Sequence, residues 1–222
     1  MRKYHLFLQI ITVVVLLISC RKETSNEGGT SPGGGTPTDT TGTGGDTSNT
    51  GNTEVGNWKF ISLHATVLQT TEYTQDSNAV KAVTSSDYTT ENNSGTISFT
   101  GSTMTSNAVA FSINTNAKTY IYVNGTLTDS LNFPLTSSIP PQSTSADYTK
   151  PGADSLYFQT GGLIDIGSGG ALPSIPTGYK LQFNGSTMTM TTVYDDVSNE
   201  TNQGIPEKVT THAILVATLQ KI

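Results

Sequence analysis

The sequence predicts an all-β fold, an antiparallel up-and-down barrel with a β-sandwich as the alternative, preceded by a leader and a Gly/Thr-rich linker. Three observations point to it. From residue 55 onward the chain is dense in Thr, Val, Ile, Tyr and Phe and is broken at roughly eight- to twelve-residue intervals by Gly, Asn and Pro, the spacing of short antiparallel strands. No stretch of a dozen residues keeps a 3.6-residue apolar period. Asn-Gly pairs at 124–125 and 184–185 each separate two strand-like runs, and Asn-Gly is the strongest short-range hairpin signal because both residues tolerate positive φ.

The first element is MRKYHLFLQIITVVVLLISC. A basic Arg2-Lys3 pair, an apolar run from Leu6 to Ile18 and a small residue before Cys20 give residues 1–19 the layout of a signal peptide. The apolar run is shorter than the ~20 residues that a membrane-spanning helix needs. Leu17-Ile18-Ser19-Cys20 resembles the lipobox of bacterial lipoproteins. That resemblance implies a diacylglycerol on the Cys20 thiol, cleavage before Cys20 and acylation, such as by palmitate, of the new amino terminus. More than one chain is needed for stable anchoring, since each buried CH₂ contributes about 0.8 kcal/mol. Cys20 is the single cysteine of the 222 residues, so lipidation leaves no thiol for a disulfide, a metal site or catalysis.

Residues 20–54 form the second element, the lipidated cysteine and its linker. From Thr24 to Thr53 there is no aliphatic or aromatic side chain, so the segment has no apolar area to offset the entropy of ordering and is expected to be disordered. A Gly-rich coil of that length spans roughly 30 Å. Arg21-Lys22-Glu23 only partly matches the acidic export signal of Bacteroidetes lipoproteins, which leaves the periplasmic and the surface-facing side of the outer membrane both open.

Residues 55–222 form the domain, long enough to bury ~70% of its unfolded surface without staples. Strands are expected at 57–71, 79–89, 95–99, 103–113, 117–123, 126–133, 154–160, 162–166, 178–183, 186–194 and 207–221, with 134–153 as a long Pro-rich loop. FTGSTMT at 99–105 returns as FNGSTMT at 183–189, and the two read as one hairpin solution used twice. With Asn184-Gly185 as a two-residue turn, Phe183 faces Ser186, Leu181 faces Met188 and Tyr179 faces Met190. Directly paired residues share a face, so Tyr179, Leu181, Phe183, Met188, Met190 and Tyr194 form an apolar surface, and Lys180, Gln182, Thr187, Thr189 and Thr191 the other. Around Thr100-Gly101 the same arithmetic sets Phe99 against Ser102 and Ile97 against Met104. At Asn124-Gly125, Tyr122 faces Leu127, and Tyr120 and Tyr122 share a face with Leu127 and Leu131.

Gly56-Asn57-Trp58 at the start of the first strand, the consecutive hairpins and a last strand ending LVATLQKI are similar to the lipocalin-like domains of bacterial lipoproteins. The resemblance implies a barrel in which Trp58 plugs the closed end, a basic residue of the last strand, here Lys221, stacks on it, and the other end admits a small apolar ligand. A cation over an indole face contributes ~0.5–2 kcal/mol.

The remaining motifs have plain readings. His64 and His212 approach each other if the first and last strands pair, but zinc needs three or four ligands, and none with suitable spacing joins them. Gly-x-Ser-x-Gly is absent, and a Ser-His-Asp triad needs its His oriented by a carboxylate. Gly167-Ser168-Gly169-Gly170 follows a strand, yet Pro173 and Pro176 forbid the helix N-terminus that a phosphate loop requires. Asp195, Asp196, Asn199, Glu200 and Asn202 lack EF-hand spacing and suit a solvated hairpin tip. Asp-Thr-Thr at 39–41 and Asp-Ser-Leu at 129–131 and 154–156 resemble the O-glycosylation site of Bacteroidetes envelope proteins, Thr40 being the most accessible. A formal net charge of −6 argues against nucleic acid.

The expected protein is therefore not an enzyme and holds no cofactor or metal. It is an outer-membrane lipoprotein, joined to the membrane through its lipid, that binds a small apolar or amphipathic ligand in a barrel mouth. The alternative is an interaction module presenting loops to glycans or partner proteins. Cys20→Ala should move the protein from the detergent phase to the aqueous phase in a partitioning experiment while leaving the domain folded; unchanged partitioning would sink the lipobox reading.

Overall fold

The computed structural model describes residues 53–160, 162–163 and 176–222. The leader, Cys20, the linker to residue 52 and the Gly167-Ser168-Gly169-Gly170 stretch lie outside the described residues. Nine strands form one antiparallel sheet: β1 Gly56–Gln75, β2 Asn78–Thr89, β3 Glu91–Phe99, β4 Thr103–Val123, β5 Thr126–Gly152, β6 Ser155–Phe158, β7 Thr177–Asn184, β8 Thr187–Asn202 and β9 Ile205–Lys221.

The sheet closes into a ring because β1 pairs with β9 from Trp58 opposite Lys221 to Tyr73 opposite Glu207. Two separate sandwich sheets are thereby replaced by one closed sheet, but nine strands are not the even barrel expected. β2 and β3 both pair with β1 and with β4, so they lie end to end between the same neighbours.

Among the described residues closure is incomplete along the strands. β6 has four residues and β7 eight, whereas β5 has 27 and β8 has 16. Among the described residues β5 meets β6 only at Tyr148, Thr149 and Gly152, and β8 meets β7 only from Thr187 to Thr191. The ring thus has a closed end, where β1 begins and β9 finishes, and an open end, where β1, β4 and β8 turn back.

Side-chain alternation divides the sheet into faces. The inner face of the closed end buries Trp58, Ile97, Met104, Leu156, Phe158, Leu181, Met188, Met190 and Leu219, none more than 2% exposed. A bulge between Phe60 and Ser62 lets Phe60 and Leu63 both point inward while Ile61 points out. The space left between Leu63, Leu163, Tyr179, Met190, Thr192, Leu215 and Ala217 is about 10 Å³, below the volume of one water.

Three sequence expectations change. The Pro-rich segment 134–153 is not a loop, since all of it up to Gly152 belongs to β5. Its prolines are tolerated because Pro140 and Pro141 fall in the register shift between Ile139 and Gln142, and because among the described residues β5 is paired on one side only for most of its length. Gly162 and Leu163 are not part of a strand. The repeated hairpins turn one residue later than expected: Phe183 faces Met188 and Leu181 faces Met190, with Asn184 opposite Thr187. Phe99 likewise faces Met104 and Ile97 faces Ser106.

Gly-Ser is therefore the turn in both copies. Gly185 has φ +60° at the first central position, as a type II′ turn needs. In the other copy Thr100 Oγ1 accepts the Thr103 backbone N–H at 3.0 Å. A one-residue move of the turn shifts partners by two, so the face assignment survives although the pairs do not. The Asn124-Gly125 turn sets Tyr122 against Leu127 as expected, but a bulge between Ile121 and Tyr122 sends Leu131 to the inner face opposite Thr119.

Met188 is fully buried, whereas its neighbour Thr189 is only partly so. Met188→Ala should therefore cost about 2–5 kcal/mol and Thr189→Ala under about 1 kcal/mol. Equal losses in a denaturant titration would mean that the faces are assigned the wrong way round.

Candidate functional site at the open rim

Three two-residue turns meet at the open end: Asp76-Ser77 joins β1 to β2, Asn124-Gly125 joins β4 to β5, and Gln203-Gly204 joins β8 to β9. In each, both residues have φ between +49° and +83°, the positive values of a type I′ turn. The first two tips are laced together. Asn124 Oδ1 accepts from the Ala79 N–H at 3.0 Å, and Asn124 Nδ2 donates to Asn78 Oδ1 at 2.9 Å. One Asn thus forms a turn and locks it to its neighbour.

Behind the tips, the register lays residues from five strands in rows. On the outer face Tyr122 of β4 stands opposite Lys81, Lys81 opposite Glu72, Glu72 opposite Lys208, and Lys208 opposite Asn199 of β8. On the inner face Val80 stands opposite Tyr73, Tyr73 opposite Glu207 and Glu207 opposite Glu200. A cleft of about 900 Å³ runs over this rim and draws its lining from both rows. A second depression of about 500 Å³, between Asp147, Thr149, Tyr157 and Gln159, lies on the closed half.

Glu207 is the unusual group of the rim. It is 8% exposed and its Oε2 has no hydrogen-bond partner among the described residues. Burial pushes its carboxyl above the ordinary carboxylate range; the Asn202 hydrogen bond opposes the shift, and the charge of Glu200 across the ladder adds to it. Burial, and then the negative charge of Glu207, raise the Tyr73 phenol in turn. Glu200 thus disfavours the ionised form of Glu207, and Glu207 that of Tyr73.

The closed end brings together the residues singled out for the plug. Lys221 Nζ lies 5.1 Å from the Trp58 ring centroid and donates to the Val55 carbonyl at 3.3 Å. Gly56 has φ +129°, and a Cβ there would stand 3.4 Å from Lys221 Cε, so glycine gives both the conformation and the room for the lysine. Trp58 Nε1 donates to the Glu54 carbonyl at 2.6 Å. The Glu54 side chain is buried as well, accepting from Lys150 Nζ at 2.7 Å and from the Tyr148 hydroxyl at 3.2 Å. Tyr148 also donates to the Thr100 carbonyl. Burial first, then the Glu54 charge, raises its phenol pKa. Glu54, assigned to the linker by composition, thus packs as part of the domain.

Comparison with protein-family models, curated proteins and solved structures found no match.

His64 and His212 both lie on the outer face of the β1–β9 pair but in different rows, His64 opposite Val216 and His212 opposite Leu68. Each has its own carboxylate instead. His64 Nε2 lies 3.1 Å from Asp87, and His212 Nδ1 lies 2.6 Å from Asp195. Hydrogen bonds from Thr66 and then His64 hold Asp87 below the usual carboxylate range. Asp195, Asp196, Asn199, Glu200 and Asn202 sit along β8, where alternation divides them between the two faces. Among the described residues no three His, Cys, Asp or Glu side chains lie close enough together to hold a metal ion.

Sequence reasoning missed the rim rows, because their members are contributed by five strands. Glu207 was nevertheless readable by parity: it alternates with Val209, Ala213 and Ala217, all buried on the inner face.

A carboxyl whose folded pKa lies above the ordinary 4.5 stabilises the fold in its neutral form. That contribution is complete below the ordinary value and is lost as pH rises through the raised one. Glu207→Gln, a permanent mimic of the neutral form, should remove this segment of the pH dependence and leave the protein at least as stable as wild type at neutral pH. Denaturant titrations on either side of the carboxylate range measure it, and an unchanged pH slope would contradict the assignment.

Proposed function

We propose that the chain is a non-catalytic binding module of the bacterial cell envelope, held by a lipidated Cys20 and its linker, which receives its ligand at the open rim of a lipocalin-like sheet. The observation that carries this reading is the space at the rim: a cleft of about 900 Å³, against about 500 Å³ in the depression on the closed half and about 10 Å³ among the core side chains. The stacking of Lys221 on Trp58 supports the lipocalin-like comparison.

Placement supports it too. Glu54 pins the start of the domain at the closed end through Trp58, Tyr148 and Lys150. A lipid anchor upstream of Glu54 therefore leaves the rim at the far end of β1. Its 20 residues at ~3.3 Å each cover roughly 65 Å along the strand.

A second reading has an observation of its own. Leu131, Phe133 and Leu135 of β5 occupy alternate inner positions and are only half-buried, so an amphipathic ligand would lie along them with its polar head at the rim.

Backbone amide shifts of the full chain, recorded while fatty acids, sterols, quinones and saccharides are added, separate the two. The rim reading expects perturbations at residues 72–81, 122–125 and 199–208, together with a higher melting temperature, since binding to the native state alone contributes ~2.7 kcal/mol at a hundredfold excess over Kd. Perturbations confined to 131–139 would favour the second reading. No shift from any compound would reject a binding function at either place.

A further inference from the structure

We propose that the rim cleft is a saccharide site, taking a linear oligosaccharide along the row Tyr122, Lys81, Glu72, Lys208 and Asn199. The proposal rests on the rim reading above and narrows it to one class of ligand.

The row's chemistry selects the class. Lysine ammonium groups donate only, carboxylates accept only, and the Asn amide does both. An apolar ligand covering this row would strip water from Lys81, Glu72 and Lys208 without replacing its hydrogen bonds, a costly desolvation. A strongly cationic ligand would meet Lys81 and Lys208, and an extended polyanion would have to cross the Glu72 carboxylate that stands between them. Vicinal hydroxyls donate and accept from the same atom and so answer both kinds of partner.

The row also has capacity to spare. Lys81 reaches Glu72 only at 3.9 Å, and among the described residues no ion pair engages Lys208. The ring of Tyr122, on the same face, offers a π surface for the C–H face of a sugar ring. Beneath the row, Glu207 holds one buried carboxylate oxygen without a partner, so the same cleft has a further acceptor to satisfy.

Geometry selects a chain rather than a single sugar. Five successive strands, β4, β2, β1, β9 and β8, contribute one residue each. At about 4.8 Å between neighbouring strands the row is roughly 19 Å long. Alternating donors and acceptors at that interval suit an extended ligand with a repeated hydroxyl pattern.

The test is calorimetric titration of the full-length protein in detergent with linear cello-, xylo-, manno- and chito-oligosaccharides, paired with amide shifts at the rim. The expected result is that one series binds, that shifts centre on residues 72–81 and 199–208, that Lys208→Gln weakens binding about tenfold or more, the effect of one lost charge-assisted hydrogen bond, and that Tyr122→Ala weakens it through loss of the ring contact. Lys81→Gln is the substitute should Tyr122→Ala lower the melting temperature. Binding with undiminished affinity in Lys208→Gln and Lys81→Gln would overturn the proposal. A fatty acid or quinone that shifts the rim while no saccharide binds would overturn the saccharide class and leave the rim reading intact. Absence of any rim response would overturn both.

Discussion

The pairing of the first strand with the last is the contact on which the remaining architecture depends. A nine-strand antiparallel sheet without it would leave two long edges, one of them β1, whose alternating apolar side chains would face water. With β1 hydrogen-bonded to β9 from Trp58 to Tyr73, those side chains acquire an inside. The indole of Trp58 is then sealed at 1% exposure, and the Lys221 ammonium closes over it. The same closure draws in Glu54, because the Trp58 N–H needs an acceptor once it is out of water and finds the Glu54 carbonyl.

The two ends of this ring differ because their side chains differ in size. The closed end is filled by Trp, Phe, Met and Leu, which interdigitate to leave almost no space. Toward the open end the inner positions mix short side chains, Thr71, Ala82, Thr84, Thr119 and Thr211, with Val80, Ile121, Leu131 and Val209. The short members fill less of the width of a closed sheet than the aromatic and Met side chains of the closed end. β6 and β7 stop before this region, while β1, β4, β8 and β9 continue past it to the rim. The charged groups of the rim are therefore exposed by architecture, and Glu207, buried among them, is among the described residues the one buried carboxyl with an unpartnered oxygen.

Much of the fold was legible residue by residue. The turn residues marked the hairpins, period-two alternation identified the apolar face of β7 and β8, and the Gly-x-Trp start with a terminal Lys located both halves of the closed end. Legibility failed where a local rule was overridden by context. Prolines 134, 140 and 141 marked a loop because they cannot donate to a ladder, yet an edge strand has a side on which no donor is required. The repeated hairpins were displaced by one turn position because Asn-Gly and Gly-Ser both suit tight turns, and only the pairing of Phe with Met decided between them. Each bulge, at Phe60, Ile121 and the β3–β4 register, shifts parity in a way that no single strand announces.

What the sequence determined by itself was the all-β class, the hairpins to within a residue and which side chains alternate together, all consequences of local propensity and of a side-chain period of two; the pairing of Trp58 with Lys221 was an expectation drawn from the resemblance to lipocalin-like domains. Only the tertiary structure decided that the sheet closes on itself, that β6 and β7 are too short to complete it, and that Tyr122, Lys81, Glu72, Lys208 and Asn199 fall in one row. The physical reason is register. A strand's own residues set its faces, but which residue stands beside which on the next strand depends on turns, bulges and closure acting together, and the row at the rim is written in that register.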